Sequence, residues 1–278
     1  MTWKIVADSS CDLRSYTSPM AELSYATVPL KIRVGSREFV DNIALDTRAM
    51  MDAMHNHNGP TSSSCPSPEE WAAEFLTADC CIAVTITSNL SGSYNSAVVA
   101  RDMVLEEHPE KKIYVVDSLS AGGELVLIVR KLAQLIEAGT GFEDICREIE
   151  QYADECHTVF ALANFDNLVK NGRMSRLVGF VAGAMNMRAV GVASDHGTLE
   201  MRHKTRGETR ALACILEEMD RYGFKGGPVV ICHCFNENAC KLLQNGILAK
   251  WPESDITILP TSGLCSYYAE EAGIIMGF

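Results

Sequence analysis

The stretch 84-VTITSNLSGSYNSAVVAR-101 takes an apolar, strand-like run into five hydroxyl residues around one glycine, Thr85, Thr87, Ser88, Ser91 and Ser93 about Gly92, and then into a helix-like pattern. A short, continuously apolar run followed by a polar turn and a helix is the unit of a parallel sheet covered on both faces. Comparable runs stand at 3-WKIVA-7, 80-CCIAVTIT-87 and 112-KIYVVD-117, and helix candidates follow at 93–107, 121–138 and 141–156, the second of them closed by Gly139. Such alternation predicts an N-terminal α/β domain with a parallel sheet over residues 1–157.

After about residue 157 the pattern changes. Strand-like 158-TVFALA-163, the basic turn 170-KNGRMSR-176, and the pair 188-RAVGVAS-194 and 198-TLEMRHKT-205 joined at Asp195-His196-Gly197 predict antiparallel pairing. A helix at 207–222, strand 228-PVVICHC-234, helix 236–248 and strand 255-DITILP-260 then complete a C-terminal α/β domain, residues 158–278, with a mixed sheet. The expected fold class is therefore α/β in two domains.

Composition narrows the function. The 278 residues are 47% hydrophobic, enough for one large core or two ordinary ones, and the net charge of −12 argues against a nucleic-acid partner. No run approaches the roughly 18 apolar residues of a membrane span, and Met1-Thr2-Trp3-Lys4 leads directly into a strand without a basic leader, so a cytoplasmic protein without stable membrane insertion is expected. The eleven cysteines are scattered through apolar runs and read as buried reduced thiols. Cys232-His233-Cys234 has two thiols at strand spacing but no second pair to close a tetrahedral site, so no metal and no cofactor are expected.

In open α/β sheets ligands bind beyond the carboxyl ends of the strands. Here those ends read Asp8-Ser9-Ser10, Ser88 to Ser93 and Asp117-Ser118, and a fourth loop, 60-PTSSSCPSPEEW-71, adds Ser63 and Ser64 before a helix start. The helix opening at Ser91-Gly92-Ser93 leaves amide N–H groups without intrahelical partners, an end that favours an anion. With the hydroxyls of Ser63, Ser64, Ser91 and Ser93 it makes an uncharged cradle for one small oxyanion such as a carboxylate. One of Ser91 or Ser93, and one of Ser64 or Ser67, also suits helix capping, and Asp8 and Asp117 suit the bonding of loop amides. A serine-dependent hydrolase centred on Ser91 is a second reading, although 89-NLSGS-93 lacks the first glycine of a nucleophile elbow. A small-anion-binding module is a third.

Several stretches together resemble the DegV family of bacterial fatty-acid-binding proteins: 5-IVADSSCDL-13, 28-VPLKIRVGSREFVDN-42, 63-SSCPSP-68, 87-TSNLSGSYNSA-97, 115-VVDS-118 and 168-LVKNGRMS-175, in order along nearly the whole chain. The resemblance implies two α/β domains that bury a long-chain fatty acid. It assigns the carboxylate to Ser63, Ser64, Ser91 and Ser93 and gives Arg173 a place at the opening, in the encounter with a partner; Gly92 at the helix start joins the carboxylate group, and Asp8 and Ser9 at the end of the first strand are expected near the ligand or a partner. It further implies a non-enzymatic carrier that presents the acid to a separate fatty acid kinase, in keeping with the lack of a P-loop or Rossmann fingerprint in this chain. The small residues of 177-LVGFVAGAMNM-187 offer material for the tunnel. One departure stands out: relatives often end in His-x-Gly-Pro-Gly, whose histidine is tied to phosphate transfer, whereas this chain ends 261-TSGLCSYYAEEAGIIMGF-278, where Tyr267 or Tyr268 could take that space.

Overall fold

The computed structural model describes residues 1–174 and 186–278. Four parallel strands form the first sheet, in the order β2 (Leu23–Val28), β1 (Trp3–Asp8), β6 (Cys80–Thr85), β7 (Lys112–Asp117). Every residue of β6 is buried, which explains why its sequence is apolar without alternation. Its odd and even residues serve different cores. Cys81 and Ala83 pack with Trp71 and Phe75 of α2 (Pro68–Phe75) and Ala97 and Ala100 of α3 (Ser93–Glu107), while Ile82 and Val84 pack with Leu125, Ile128 and Leu132 of α4 (Gly123–Glu137). α5 (Phe142–Glu155) lies outside α4 and contributes Ile145 and Ile149 to the same core.

A small antiparallel sheet, in the order β4 (Arg37–Val40), β3 (Lys31–Val34), β5 (Thr61–Ser64), stands beside the first. β5 corrects the expectation of a loop at 60–71: Thr61 to Ser64 form a strand because β3 supplies a ladder partner, Ile32 opposite Ser63 and Lys31 opposite Ser64. Their own side chains carry no apolar alternation to announce it. α1 (Thr47–His55) leads into this sheet and starts on Asp46, whose carboxylate accepts the Ala49 amide at 3.0 Å. α2 starts on Ser67 in a capping box with Glu70 and has Pro68 in its first turn, so the capping serine here is Ser67, and Ser64 stays in the strand.

The remaining strands form one mixed sheet, β10 (Leu199–Arg206), β9 (Met187–Ala193), β8 (Thr158–Leu162), β13 (Ile274–Gly277), β11 (Pro228–His233), β12 (Asp255–Pro260), in which only β11 and β12 run parallel. α7 (Glu208–Arg221) and α8 (Glu237–Lys250) cover one face through Ala211, Ile215, Cys240 and Leu243. On the other face Val230 and Cys232 of β11 join the core that α4 shares with the parallel sheet. α4 thus lies between two sheets, with 11 of its 15 residues buried. A Cβ at Gly123 would collide with the Val230 carbonyl and the Gly277 amide, so the approach of α4 to β11 and β13 requires glycine there.

Two short helices complete the described chain, α6 (Asp166–Lys170) and α9 (Gly263–Ala269). α9 has no side-chain cap of its own, and its first amides are taken by carboxylates from the far end of the sequence. Asp12 accepts Ser262 N–H at 2.6 Å, and Asp41 accepts Gly263 N–H at 2.6 Å and Leu264 N–H at 2.8 Å. Burial raises both carboxyls, Asp12 to about 7, against the downward pull of these bonds. No helix among the described residues is long and apolar enough to cross a membrane.

Candidate functional site

A cavity of about 280 Å³ opens where the three sheets meet. Leu30, Ile86, Leu90, Leu119, Phe160, Leu162, Leu168, Leu199, Leu264 and Ile275 make its wall mostly hydrocarbon. Ser63, Ser64, Cys65, Ser91 and Gly92 also border it, and Arg173 is the one charged side chain among the described lining residues.

Each of these groups is placed by a local cause. Ser91 sits in the turn between β6 and α3, where its Oγ accepts Ser93 N–H at 3.2 Å. Gly92 is the N-cap of α3 and has no side chain to cap it, so Ser91 takes the Ser93 amide alone. Ser63 stands on β5, with its hydroxyl 2.8 Å from that of Tyr268, which α9 delivers to the cavity. Tyr267 turns aside and bonds Thr61 Oγ1 at 2.7 Å and Asn171 Nδ2 at 2.9 Å. Arg173 follows α6, donates from Nε to the Leu90 carbonyl at 3.3 Å and from Nη1 to the Asn171 carbonyl at 2.6 Å, and holds its guanidinium 5.9 Å from the centre of the Tyr268 ring. It thereby ties the α6 turn to the loop that carries Ser91.

Five of the eight site residues expected from the sequence, Ser63, Ser64, Ser91, Gly92 and Arg173, therefore border one cavity. The other three, Asp8, Ser9 and Ser93, are not among its described lining residues and form a buried layer behind it. Asp8 accepts the Ser93 hydroxyl at 2.6 Å and the Ile86 amide at 2.9 Å on one oxygen, and the Ser10 hydroxyl at 2.5 Å on the other. Burial pushes its carboxyl up against those bonds. Ser9 Oγ accepts the Leu30 amide at 2.9 Å. Asp117 does similar work for the adjoining loop, accepting Ser88 N–H at 3.0 Å.

The β9–β10 hairpin closes the cavity from the side of the mixed sheet. Asn89 Nδ2 donates to the His196 carbonyl at 2.7 Å, and Gly197, at φ +68°, presses so closely on Thr87 and Leu119 that a Cβ would overlap the Thr87 hydroxyl. The small-residue run 177–187 expected to supply a tunnel lies outside the described residues except for Asn186 and Met187. Sequence reading missed the contributions of Thr158, Cys265 and the hairpin tip. They come from distant parts of the chain and carry no shared motif.

For the hydrolase reading a base is needed beside Ser91, and no histidine, aspartate or glutamate is among the described residues that line the cavity. Cys232, His233 and Cys234 do not gather as ligands: Cys232 packs beside α4, Cys234 packs with Met50 and Met54 of α1, and His233 Nδ1 accepts the Asn236 amide at 3.1 Å. All eleven cysteines are free, eight of them buried.

The model of the DegV family, described as "Uncharacterised protein, DegV family", matches residues 2–276. The chain belongs to the DegV family. A DegV domain-containing protein of Streptococcus pneumoniae is 46% identical over all 278 residues, covering 99% of that protein. Among solved DegV structures, the Streptococcus pneumoniae fatty acid kinase B3 protein loaded with linoleic acid is similar at a TM-score of 0.97 and 46% identity, covering 100% of this chain and 99% of the other. A DegV family protein from Eubacterium eligens loaded with heptadecanoic acid follows at 0.93 and 36%, covering 99% of each chain. A third, from Ruminococcus gnavus and refined with vaccenic acid, stands at 0.91 and 30%, covering 100% of this chain and 99% of that one.

Proposed function

We propose that this protein is a carrier of long-chain fatty acids that encloses the acyl tail in the cavity and meets the carboxylate at its hydroxyl-bearing rim. The observation that carries the reading is the make-up of that cavity: a hydrocarbon wall that Ser63, Ser64, Ser91, the N-cap Gly92 and Arg173 also border. An acyl chain of about sixteen carbons gains roughly 0.8 kcal/mol for each CH₂ removed from water, so the tail supplies the driving force. The head group needs neutral donors to replace its hydration. Ser64 and Ser91 hydroxyls with the first amides of α3 are the carboxylate's partners in this reading, and Ser63 acts together with Tyr268. Ser93, Asp8 and Ser9 hold the rim in shape from behind. The fatty acids named for the three relatives are of the class this make-up suits.

The carrier itself performs no chemistry and hands its ligand to a separate kinase, with Arg173 at the rim serving that encounter. The absence of a histidine near the C-terminus makes lipid binding the better supported half of this proposal.

Organic extraction of the purified protein followed by mass spectrometry tests the reading, with about one long-chain acid per chain expected. Only polar metabolites, or nothing, in the extract of several independent preparations would point to a small-anion module. The double variant Ser64→Ala, Ser91→Ala should retain the fold by circular dichroism and lose affinity, since a hydrogen bond to a charged group contributes about 1.5 to 3 kcal/mol. Arg173→Ala should keep its lipid while phosphorylation by a partner kinase falls; an empty cavity in that variant would reverse the division of roles.

A further inference from the structure

One strand edge carries a feature that the lipid site does not use. Along β10 the register against β9 shifts between Met201, opposite Gly191, and His203, opposite Val190. Gly191 and Val190 are neighbours on β9 and face opposite sides of the sheet: Gly191 lies against the Phe160 ring, and Val190 packs with Ala211 and Cys214 of α7. The bulge at Arg202 therefore turns His203 away from the cavity side, where Met201 packs, and towards α7.

What His203 meets there is a set of metal-ligating side chains. Cys214 and Glu217 are three residues apart on α7 and share one face, and the ligand atoms of His203, Cys214 and Glu217 all lie within 4.8 Å of one another. His203 Nε2 is also 2.5 Å from Glu218 Oε1, on a side chain only 2% exposed, so a buried carboxylate already orients the imidazole. Cys214 is 1% exposed and Glu217 is half-buried, which leaves an ion a route in from solvent. Arg210 stands 3.0 Å from Glu217 Oε1 and Arg221 stands 3.2 Å from Glu218 Oε1, flexible surface partners that a dication can displace or share. Among the described residues this is the one cluster of histidine, cysteine and acidic ligands with such spacing.

We propose that His203, Cys214 and Glu217 form a zinc site that fastens β10 to α7. A thiolate, an imidazole and a carboxylate are the mixed sulfur, nitrogen and oxygen set that zinc takes in tetrahedral geometry. Bonds of about 2.0 to 2.3 Å place tetrahedral ligands roughly 3.3 to 3.8 Å apart, so a rotamer change at half-buried Glu217 closes the present spacing. Binding exchanges the Cys214 proton for the metal and releases it to solvent. With Nε2 held by Glu218, His203 presents Nδ1 to the ion, and the fourth position falls to water. Because the β9–β10 hairpin carries Ala193, Gly197 and Leu199 to the cavity wall, the ion would brace one side of the lipid compartment from the outside.

The full-length protein, stripped of metal with a chelator, is titrated with cobalt(II) as an optical probe of zinc sites. One equivalent should produce a thiolate-to-cobalt charge-transfer band with the intense visible absorption of tetrahedral coordination, and zinc should abolish both. Cys214→Ser should remove the charge-transfer band, and Glu218→Gln should weaken metal binding by about 10- to 100-fold. Glu217→Gln, at a half-buried position whose loss leaves the core intact, should lower affinity at least as much while melting as the metal-free parent does. The proposal is overturned if no thiolate band develops, if the band survives in Cys214→Ser because another of the eleven cysteines binds the ion, or if Glu217→Gln binds as tightly as the parent.

Discussion

Two cavities of the same size, each about 280 Å³, lie side by side and differ in almost everything else. The first is the hydrocarbon compartment with its rim of serines. The second is bordered by Asp117, Glu124, Asp154, His157, Asp195 and Tyr222, with His157 stacked on Tyr222 at 4.1 Å. They share a wall made of Leu119, Thr158 and Ala193. Volume alone does not assign a ligand: an acyl chain gains nothing in a space where carboxylates would lose water to make room for it. The wall also shows how the difference is maintained. Thr158 turns its hydroxyl to Glu124 Oε2 at 2.8 Å and to Ser120 Oγ at 2.6 Å, which keeps a buried carboxyl bonded a single residue away from the apolar compartment.

Matched insertions give the sharpest test of this contrast. Ala121→Trp fills the apolar cavity; if it displaces about four methylenes at roughly 0.8 kcal/mol each, retention of long-chain acids should fall more than a hundredfold, with shorter acids favoured. Asp154→Trp places the same bulk at the polar cavity and should leave the extracted lipid unchanged. Equal losses in both variants would mean that the two spaces act as one compartment.

Glu124 should give the next largest effect, on stability. Burial raises its carboxyl from 4.5 to about 7, so the folded protein keeps a proton that the unfolded chain releases between those values. Its contribution is complete below about pH 4.5 and is lost as pH rises through about 7, an amount on the order of 3 kcal/mol. Asp12, raised from 3.8 to about 7, acts in the same direction over a similar window. Glu124→Gln should therefore flatten the dependence of urea-denaturation midpoint on pH between 5 and 8; a parallel profile would show that Glu124 ionises normally in the fold. The smallest effect belongs to the wall itself. Thr158→Val removes the bonds to Glu124 and Ser120 and should lower stability by about 1 kcal/mol while lipid retention stays constant.

Much of this architecture is legible from residues alone, for identifiable reasons. β6 and β1 are apolar on both faces, and α3, α4, α5, α7 and α8 are long enough to show a helical pattern, so each was expected within a few residues of where it stands. The β9–β10 hairpin follows from two strand-like runs joined at the Asp195-His196-Gly197 turn. β5 could not be read in this way, because four hydroxyl residues become a strand only when β3 offers its edge. α9 and β13 are too short to declare themselves, and α9 depends on caps from Asp12 and Asp41, more than two hundred residues away. In the candidate site, the serines at strand ends were conspicuous, whereas the tasks of Ser93 and Asp8 were not. A hydroxyl aimed at a cavity and one bonded to a buried carboxylate look the same in sequence, and only the 2.6 Å contact between Ser93 and Asp8 separates them.

The placement of β13 makes the continuity of the mixed sheet depend on four residues. Residues 274–277 lie in the middle of the mixed sheet, between β8 and β11, and bring Ile275 to the apolar cavity that α9 reaches with Tyr268. Without this segment, β10-β9-β8 and β11-β12 are two separate fragments with open inner edges, and the cavity lacks part of its wall. On the proposed function, a chain in which β13 has not docked would therefore lack a complete compartment for its fatty acid.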